Sequence, residues 1–247
     1  MMECITARTT AIKAARSITQ ATWAAETSVT TMVEDSIGAT AALAAMVVEE
    51  TEVGANRKHM IIIKDYDPEW PQQFETIRSS LLDILGPTAL RIDHIGSTSV
   101  PGLGAKDVID VQVTVQELSP KVIQKLVNAG YEHRGNITHD HIPPGEKNDP
   151  DLWAKLFFNQ PVGQRRANIH VRIEGNPNQR YPLLFRDYLR AHPNSAKSID
   201  IIKREIAKRH AEDMEAYYDI KDPVYDLIWD AALDWAKYVD WKPDQSR

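Results

Sequence analysis

From His94 to Val113 the chain reads as a strand, a glycine-serine turn, a glycine-rich loop and a second strand. That second strand, Val108–Val115, alternates strictly: Ile109, Val111, Val113 and Val115 face one way, while Asp110, Gln112 and Thr114 face the other. Asn168–Glu174 repeats the pattern, with Ile169, Val171 and Ile173 opposite Asn168, His170, Arg172 and Glu174. Two strands with apolar backs and ionisable fronts demand helices on one side only, so the expected fold class is α+β with a cleft on the open face.

The helices that would cover the apolar side are legible. Asp67-Pro68-Glu69 supplies an N-cap, a proline at the first helical position and an early acid. Phe74, Ile77, Leu81, Leu82 and Leu85 continue an apolar face that Gly86-Pro87 stops. Ser119-Pro120 caps a second helix through Val122, Ile123, Leu126 and Val127, ending at Gly130. Two further strands are expected at Ile61–Ile63 and Leu90–Ile95. After Tyr181-Pro182 the pattern is helical over Leu183–Ala191, Ser195–Tyr218 and Asp222–Tyr238.

Residues 1–58 differ in kind, being rich in alanine and threonine and holding none of the 14 prolines. They are expected to form a mobile or partly helical extension, leaving 59–247 as the folded domain. Arg8, Lys13 and Arg16 among Ser, Thr and Ala faintly suggest a mitochondrial transit helix, but Glu49-Glu50-Thr51-Glu52 argues against extending that reading. One cysteine, Cys4, leaves no disulfide framework and no thiolate zinc cluster, which points to a cytoplasmic location. No apolar run reaches membrane-spanning length, so no membrane partner is expected. A net charge of -6 gives no support for general nucleic-acid binding.

The chemistry concentrates in the central stretch. Gly96 lets the backbone approach a phosphate, and Ser97 offers an N–H and a hydroxyl, with Thr98 and Ser99 in the same turn. Lys106 supplies a positive charge for phosphates. Asp110 is the natural first ligand of a divalent ion. Gln112, two residues on and on the same face, is a neutral oxygen donor where a second carboxylate would complete the site. His170 is in line to meet Asp110 if the strands are neighbours, as base or ligand, with Arg172 beside it on the polar face. Arg186 and Arg190, four apart on one helix face, either clamp a substrate carboxylate or phosphate or tie the helix to the sheet. His139 and His141 are read as loop histidines, Pro143–Pro150 as a surface connection or lid, and Trp229 and Trp235 as helix packing.

Asp65-Tyr66-Asp67-Pro68-Glu69-Trp70-Pro71, the block from His94 to Lys106, Ile109-Asp110-Val111, Asn168-Ile169-His170-Val171 and Phe185–Arg190 together resemble the GrpB family, in family order, across about residues 60–240. That resemblance implies a nucleotidyltransferase-like mixed sheet with helices packed on one face and a helical C-terminal part. It also implies a pattern of Gly-Ser, then Asp-x-Asp or Asp-x-Glu, then a third carboxylate. Gly96, Ser97 and Asp110 match; Gln112 does not, and His170 stands on the strand where the third acid is sought. In some bacterial proteins such a domain is fused to a dephospho-CoA kinase. Three functions follow as expectations: magnesium-dependent transfer of a nucleotidyl group from an NTP to a small-molecule acceptor, a non-catalytic nucleotide-binding module, or an enzyme recruited to condensation or tailoring of a small specialised metabolite.

Overall fold

The computed structural model describes residues 60–244, so the extension expected over 1–58 lies outside the described residues. Its centre is a five-stranded mixed sheet in the order β1-β2-β5-β4-β3, built from β1 (Arg91–Ile95), β2 (Ile109–Val115), β3 (Glu132–His133), β4 (Leu156–Asn159) and β5 (Ala167–Ile173). The two alternating segments are adjacent and parallel, with Asp110 opposite Asn168 and Gln112 opposite His170. β1 and β4 flank them antiparallel.

Helices α1 (Trp70–Leu85) and α2 (Pro120–Asn128) bury Trp70, Phe74, Leu81, Leu85, Val122 and Leu126 against Val111, Val113, Ile169 and Val171. Each such aliphatic side chain, fully buried, contributes about 1.5–3 kcal/mol. The Asp67 carboxylate accepts from the Glu69 N–H at 2.8 Å, so it caps a turn, and α1 begins only at Trp70. Ile61–Ile63 is not a strand. Ile61 bonds the Ala211 carbonyl and buries its side chain against Ile206, Ala207 and Tyr217, while the sheet-like contact moves to a single bridge between Lys64 and Ala105.

The C-terminal part is helical: α3 (Pro177–Ala191), α4 (Pro193–Arg209) and α5 (Met214–Tyr238). α3 starts six residues before its expected beginning and absorbs Pro182, which has no N–H to give to the carbonyl four residues before it. The break between α4 and α5 comes at His210–Asp213, earlier than the periodicity suggests, because the Asp213 carboxylate accepts from the Ala216 N–H and caps a new helix. Leu184, Leu189, Ile199, Trp229 and Ala232 form a second core among these helices, joined by Val100 and Leu103 from the glycine-rich loop. α3 also crosses the sheet face opposite α1 and α2, where the Gln112 amide donates to the Gln179 carbonyl at 3.0 Å. The open part of that face is thereby confined to the end where β1 stops and β2 begins.

Among the described residues, no helix is long and apolar enough to cross a membrane.

Candidate functional site

β1 ends at Ile95, opposite Asp110, and Gly96 then turns the chain with φ +70°. A Cβ at Gly96 would lie 2.9 Å from the Asp110 Cβ, so only glycine lets the turn rest against this carboxylate. Ser97–Ser99 form a single 3-10 turn. Its hydroxyls divide their work: Ser99 Oγ donates to the Gly96 carbonyl at 2.6 Å, and Thr98 Oγ1 pairs with His94 Nε2 at 2.9 Å. Burial, helped by Arg190 and Arg186, lowers His94 to about 4, so the ring is neutral at pH 7. Thr98 and Ser99 are therefore spent on the shape of the turn, and Ser97 faces the cleft.

Ser97 has a partner that the motif does not announce. Lys203 of α4, 2% exposed, donates to Ser97 Oγ at 3.0 Å and to the Gly104 carbonyl. Burial lowers this ammonium to about 7; Lys221, Arg204 and Lys106 add to the shift and Asp200 opposes it. A signal for it exists in the sequence. Ala196, Ile199, Lys203 and Ile206 make one buried stripe at helical spacing, and a lysine in such a stripe is out of place unless it serves something. Lys221 and Tyr225 stand in the same way on the stripe Tyr217, Lys221, Tyr225, Trp229, with Lys221 Nζ 3.9 Å from the Tyr225 ring centre. Burial pushes the Tyr225 phenol up against its hydrogen bond to Ser97.

Asp110 accepts from Asn168 Nδ2 at 2.8 Å, with His170 Nε2 3.9 Å from the same oxygen. Burial works against its charge, but His170, Asn168 and Lys106 outweigh it and hold the carboxyl below its ordinary range. His170 is lowered to about 4, by burial first and then by Arg172. An Arg172 N–H approaches His170 Nδ1 at 3.2 Å; since guanidinium only donates, the neutral ring carries its proton on Nε2, toward Asp110. The His170 Nε2–H is thus turned toward Asp110, and the Nδ1 lone pair that a base would use is engaged by Arg172.

The structure corrects the pairing of Asp110 with Gln112. Gln112 is fully buried, takes an Arg172 hydrogen bond at 2.8 Å on Oε1, and lies outside the cleft lining. The alternation places it on the right face, but α3 covers that face from Gln112 onward. Arg172 likewise lies outside the cleft lining: it grips both oxygens of Asp140 at 2.8 and 2.9 Å, and Lys155 joins Asp140 at 2.7 Å. Burial opposes the Asp140 charge, yet Arg172 and then Lys155 hold this carboxyl far below its ordinary range. Arg186 donates to the His94 carbonyl at 3.0 Å, and Arg190 to the Ser99 carbonyl at 2.7 and 3.1 Å. Of the two readings for these arginines, tying α3 to the sheet is the one the contacts favour. Among the described residues, no three His, Cys, Asp or Glu side chains could together hold a metal ion. The residues therefore do not fit a two-carboxylate magnesium centre.

The Gly96-Ser97 turn, Thr98, Lys106, Asp110 and His170 all line one cleft of about 1180 Å³. Lys64, Lys106, Arg134, Lys155, Arg166, Arg186, Lys203 and Lys221 surround it, against two carboxylates, Asp107 and Asp110. Lys106 packs on the rings of Tyr217 and Tyr218 and donates to the Tyr218 hydroxyl at 2.9 Å. Such a cleft can hold a multiply charged anion. His141 sits apart, 3.0 Å from Asp226, and the Pro143–Pro150 segment reaches α5 through Glu146 and the Trp229 indole N–H at 3.3 Å.

Comparisons with known proteins agree on the family. The chain is 37% identical over 191 residues to a dephospho-CoA kinase of Mycolicibacterium paratuberculosis, which accounts for 72% of this chain but 47% of that one. The chain thus spans about half the length of the kinases it matches. UPF0157 protein BH1888 of Halalkalibacterium halodurans is 30% identical, with 73% of this chain and 88% of that protein covered. The crystal structure of the conserved protein GrpB from Enterococcus faecalis superposes with a TM-score of 0.58 at 30% identity, over 70% of this chain and 98% of that one. The profile of the GrpB protein family matches residues 60–230, and the chain belongs to that family.

Proposed function

We propose that the cleft binds the triphosphate end of a nucleotide, with basic side chains taking the neutralising part that magnesium would otherwise play. The observation that carries this reading is the lining: eight basic groups and two acids surround a glycine-serine turn, and while Lys155, Arg186 and Lys221 are paired with Asp140, Asp187 and Asp222, no salt bridge among the described residues engages Lys106, Arg166 or Lys203. Gly96 and Ser97 offer the backbone cradle, Lys203 stands behind Ser97, and Lys106 and Lys221 flank the opening. This reading is the nucleotide-binding module among the expected functions, and the burial of Gln112 against Arg172 favours it over two-metal chemistry.

Nucleotidyl transfer to a small-molecule acceptor is the second reading. An ionised Asp110 beside the turn favours it, since a carboxylate there can orient an acceptor hydroxyl for attack on the α-phosphate. We assign the protein to the cytoplasm on its single cysteine. Kinase activity, named for relatives about twice as long, is not part of this proposal. Calorimetry with ATP and GTP, with magnesium and then with EDTA, is the test. Binding that survives EDTA supports the reading; binding of neither nucleotide under either condition overturns it. Pyrophosphate release that Asp110→Ala abolishes would replace the first reading with the second.

A further inference from the structure

Lys203 has more within reach than a phosphate cradle needs. It is 2% exposed, and among the described residues no carboxylate forms an ion pair with it. Asp200, the acid that faces it, is held by Arg204 at 3.0 Å, while Lys221, Arg204 and Lys106 face it with like charge. Burial first, and then these cations, lower the amine to about 7, so at neutral pH a large share of it carries a lone pair. Its two contacts are the Gly104 carbonyl and, at 3.0 Å, Ser97 Oγ. A carbonyl can only accept, so it fixes one N–H of the amine and leaves the lone pair for the Ser97 hydroxyl. The Tyr225 phenol, which burial keeps protonated, meets the Ser97 oxygen from α5. Ser97 itself is partly exposed and lines the main cleft.

A serine hydroxyl open to a cleft, a base within hydrogen-bond reach and a third group that orients the base are the parts of an activated nucleophile. We propose that Ser97 and Lys203 form a nucleophile–base pair that accepts an acyl group from an activated ester. Ser97 Oγ bonds to the acyl carbon while its proton passes to Lys203 Nζ. The bond from that carbon to the leaving oxygen then breaks, and the leaving alcohol departs with the proton. Water later hydrolyses the acyl-serine to the free acid and restores the hydroxyl. An ester carbonyl is uncharged and leaves the amine its lone pair, whereas a polyanion beside Ser97 would return a proton to Lys203. The pair and the triphosphate cradle share residues but do not work at the same moment, and neither needs the other.

The test is p-nitrophenyl acetate on the full chain, with p-nitrophenolate release followed by absorbance and the acetyl group located by peptide mass spectrometry. Wild type is compared with Ser97→Ala, Lys203→Met and Lys203→Arg, the last of which keeps an N–H donor but offers no base. Wild type is expected to acquire an acetyl group on Ser97, at a rate that rises about tenfold from pH 6 to pH 8 and then levels off. Both lysine variants are expected to react at Ser97 about a hundredfold more slowly, and Ser97→Ala to lose the plateau. Tripolyphosphate is expected to suppress the reaction. An unmodified Ser97 in wild type overturns the pair, and so does an acetyl group on Lys203 in its place. Equal rates in wild type and Lys203→Arg also overturn it, since the lysine would then be a structural donor. Should the lysine variants fail to fold, the wild-type profile decides: a rate that climbs steadily with hydroxide, without a plateau, overturns the base. Ser97 acetylation that tripolyphosphate leaves unchanged supports the pair and counts against the triphosphate reading. Tripolyphosphate binding by calorimetry with an inert Ser97 does the reverse.

Discussion

Replacing Lys203 with methionine should make the protein more stable at neutral and acid pH while disabling the site. The ammonium is buried at 2% exposure and is lowered from an ordinary 10.5 to about 7. In the unfolded chain it titrates near its ordinary value, so folding below pH 7 must bury a charged group. The gap of about 3.5 units corresponds to roughly 5 kcal/mol. That cost is fully present below the folded value and falls away as pH rises from about 7 toward 10.5, so wild-type stability climbs across this window. Methionine has a similar length and no charge, but it leaves the Gly104 carbonyl without its donor, a loss of about 1–3 kcal/mol. At pH 6 the variant should therefore be about 2–4 kcal/mol more stable than wild type. By pH 9 that advantage should shrink by about 3 kcal/mol. Urea unfolding of both proteins at pH 6, 7, 8 and 9 measures the difference, in which every other titrating group cancels. A gap that stays constant with pH would refute the argument that Lys203 is buried at the expense of its charge.

Triphosphate binding beside Ser97 should return Lys203 to its charged form, so at pH 8 binding takes up as much as one proton; calorimetry in two buffers of different ionisation heat measures it, and zero uptake contradicts it. Asp110→Asn should bind tripolyphosphate as tightly as wild type or more so, because it removes a negative charge from a basic cleft; a sharp loss would point instead to a metal bridge. Gly96→Ala should cost at least about 1–3 kcal/mol of stability in urea, from φ +70° and the approach to Asp110, and an unchanged midpoint would show that the turn relaxes freely. Gln112→Glu should gain no magnesium affinity by calorimetry and should lose about 1–3 kcal/mol, since the Gln179 carbonyl would face an oxygen.

The alternating patterns of β2 and β5 announced both the sheet and its faces, and the glycine-serine turn announced where the site lies. Alternation reports a face, not what covers it. Gln112 and Asp110 are indistinguishable by period, yet α3 closes over one and leaves the other at the opening. The arginines at 172, 186 and 190 went the same way, because whether a guanidinium meets a ligand or a carbonyl is decided by long-range packing. β4 escaped notice because Leu156–Asn159 is too short to show a period and lies next to a turn-rich loop. Lys203 and Lys221 were legible in principle, as cations inside apolar helical stripes, but a stripe is usually read for its apolar members.

The basic lining of the cleft also shapes how a ligand arrives. On a chain of net charge -6, eight basic side chains against two acids gather at one opening. A polyanion that nears this opening meets an excess of cations, which quickens productive encounters at low ionic strength.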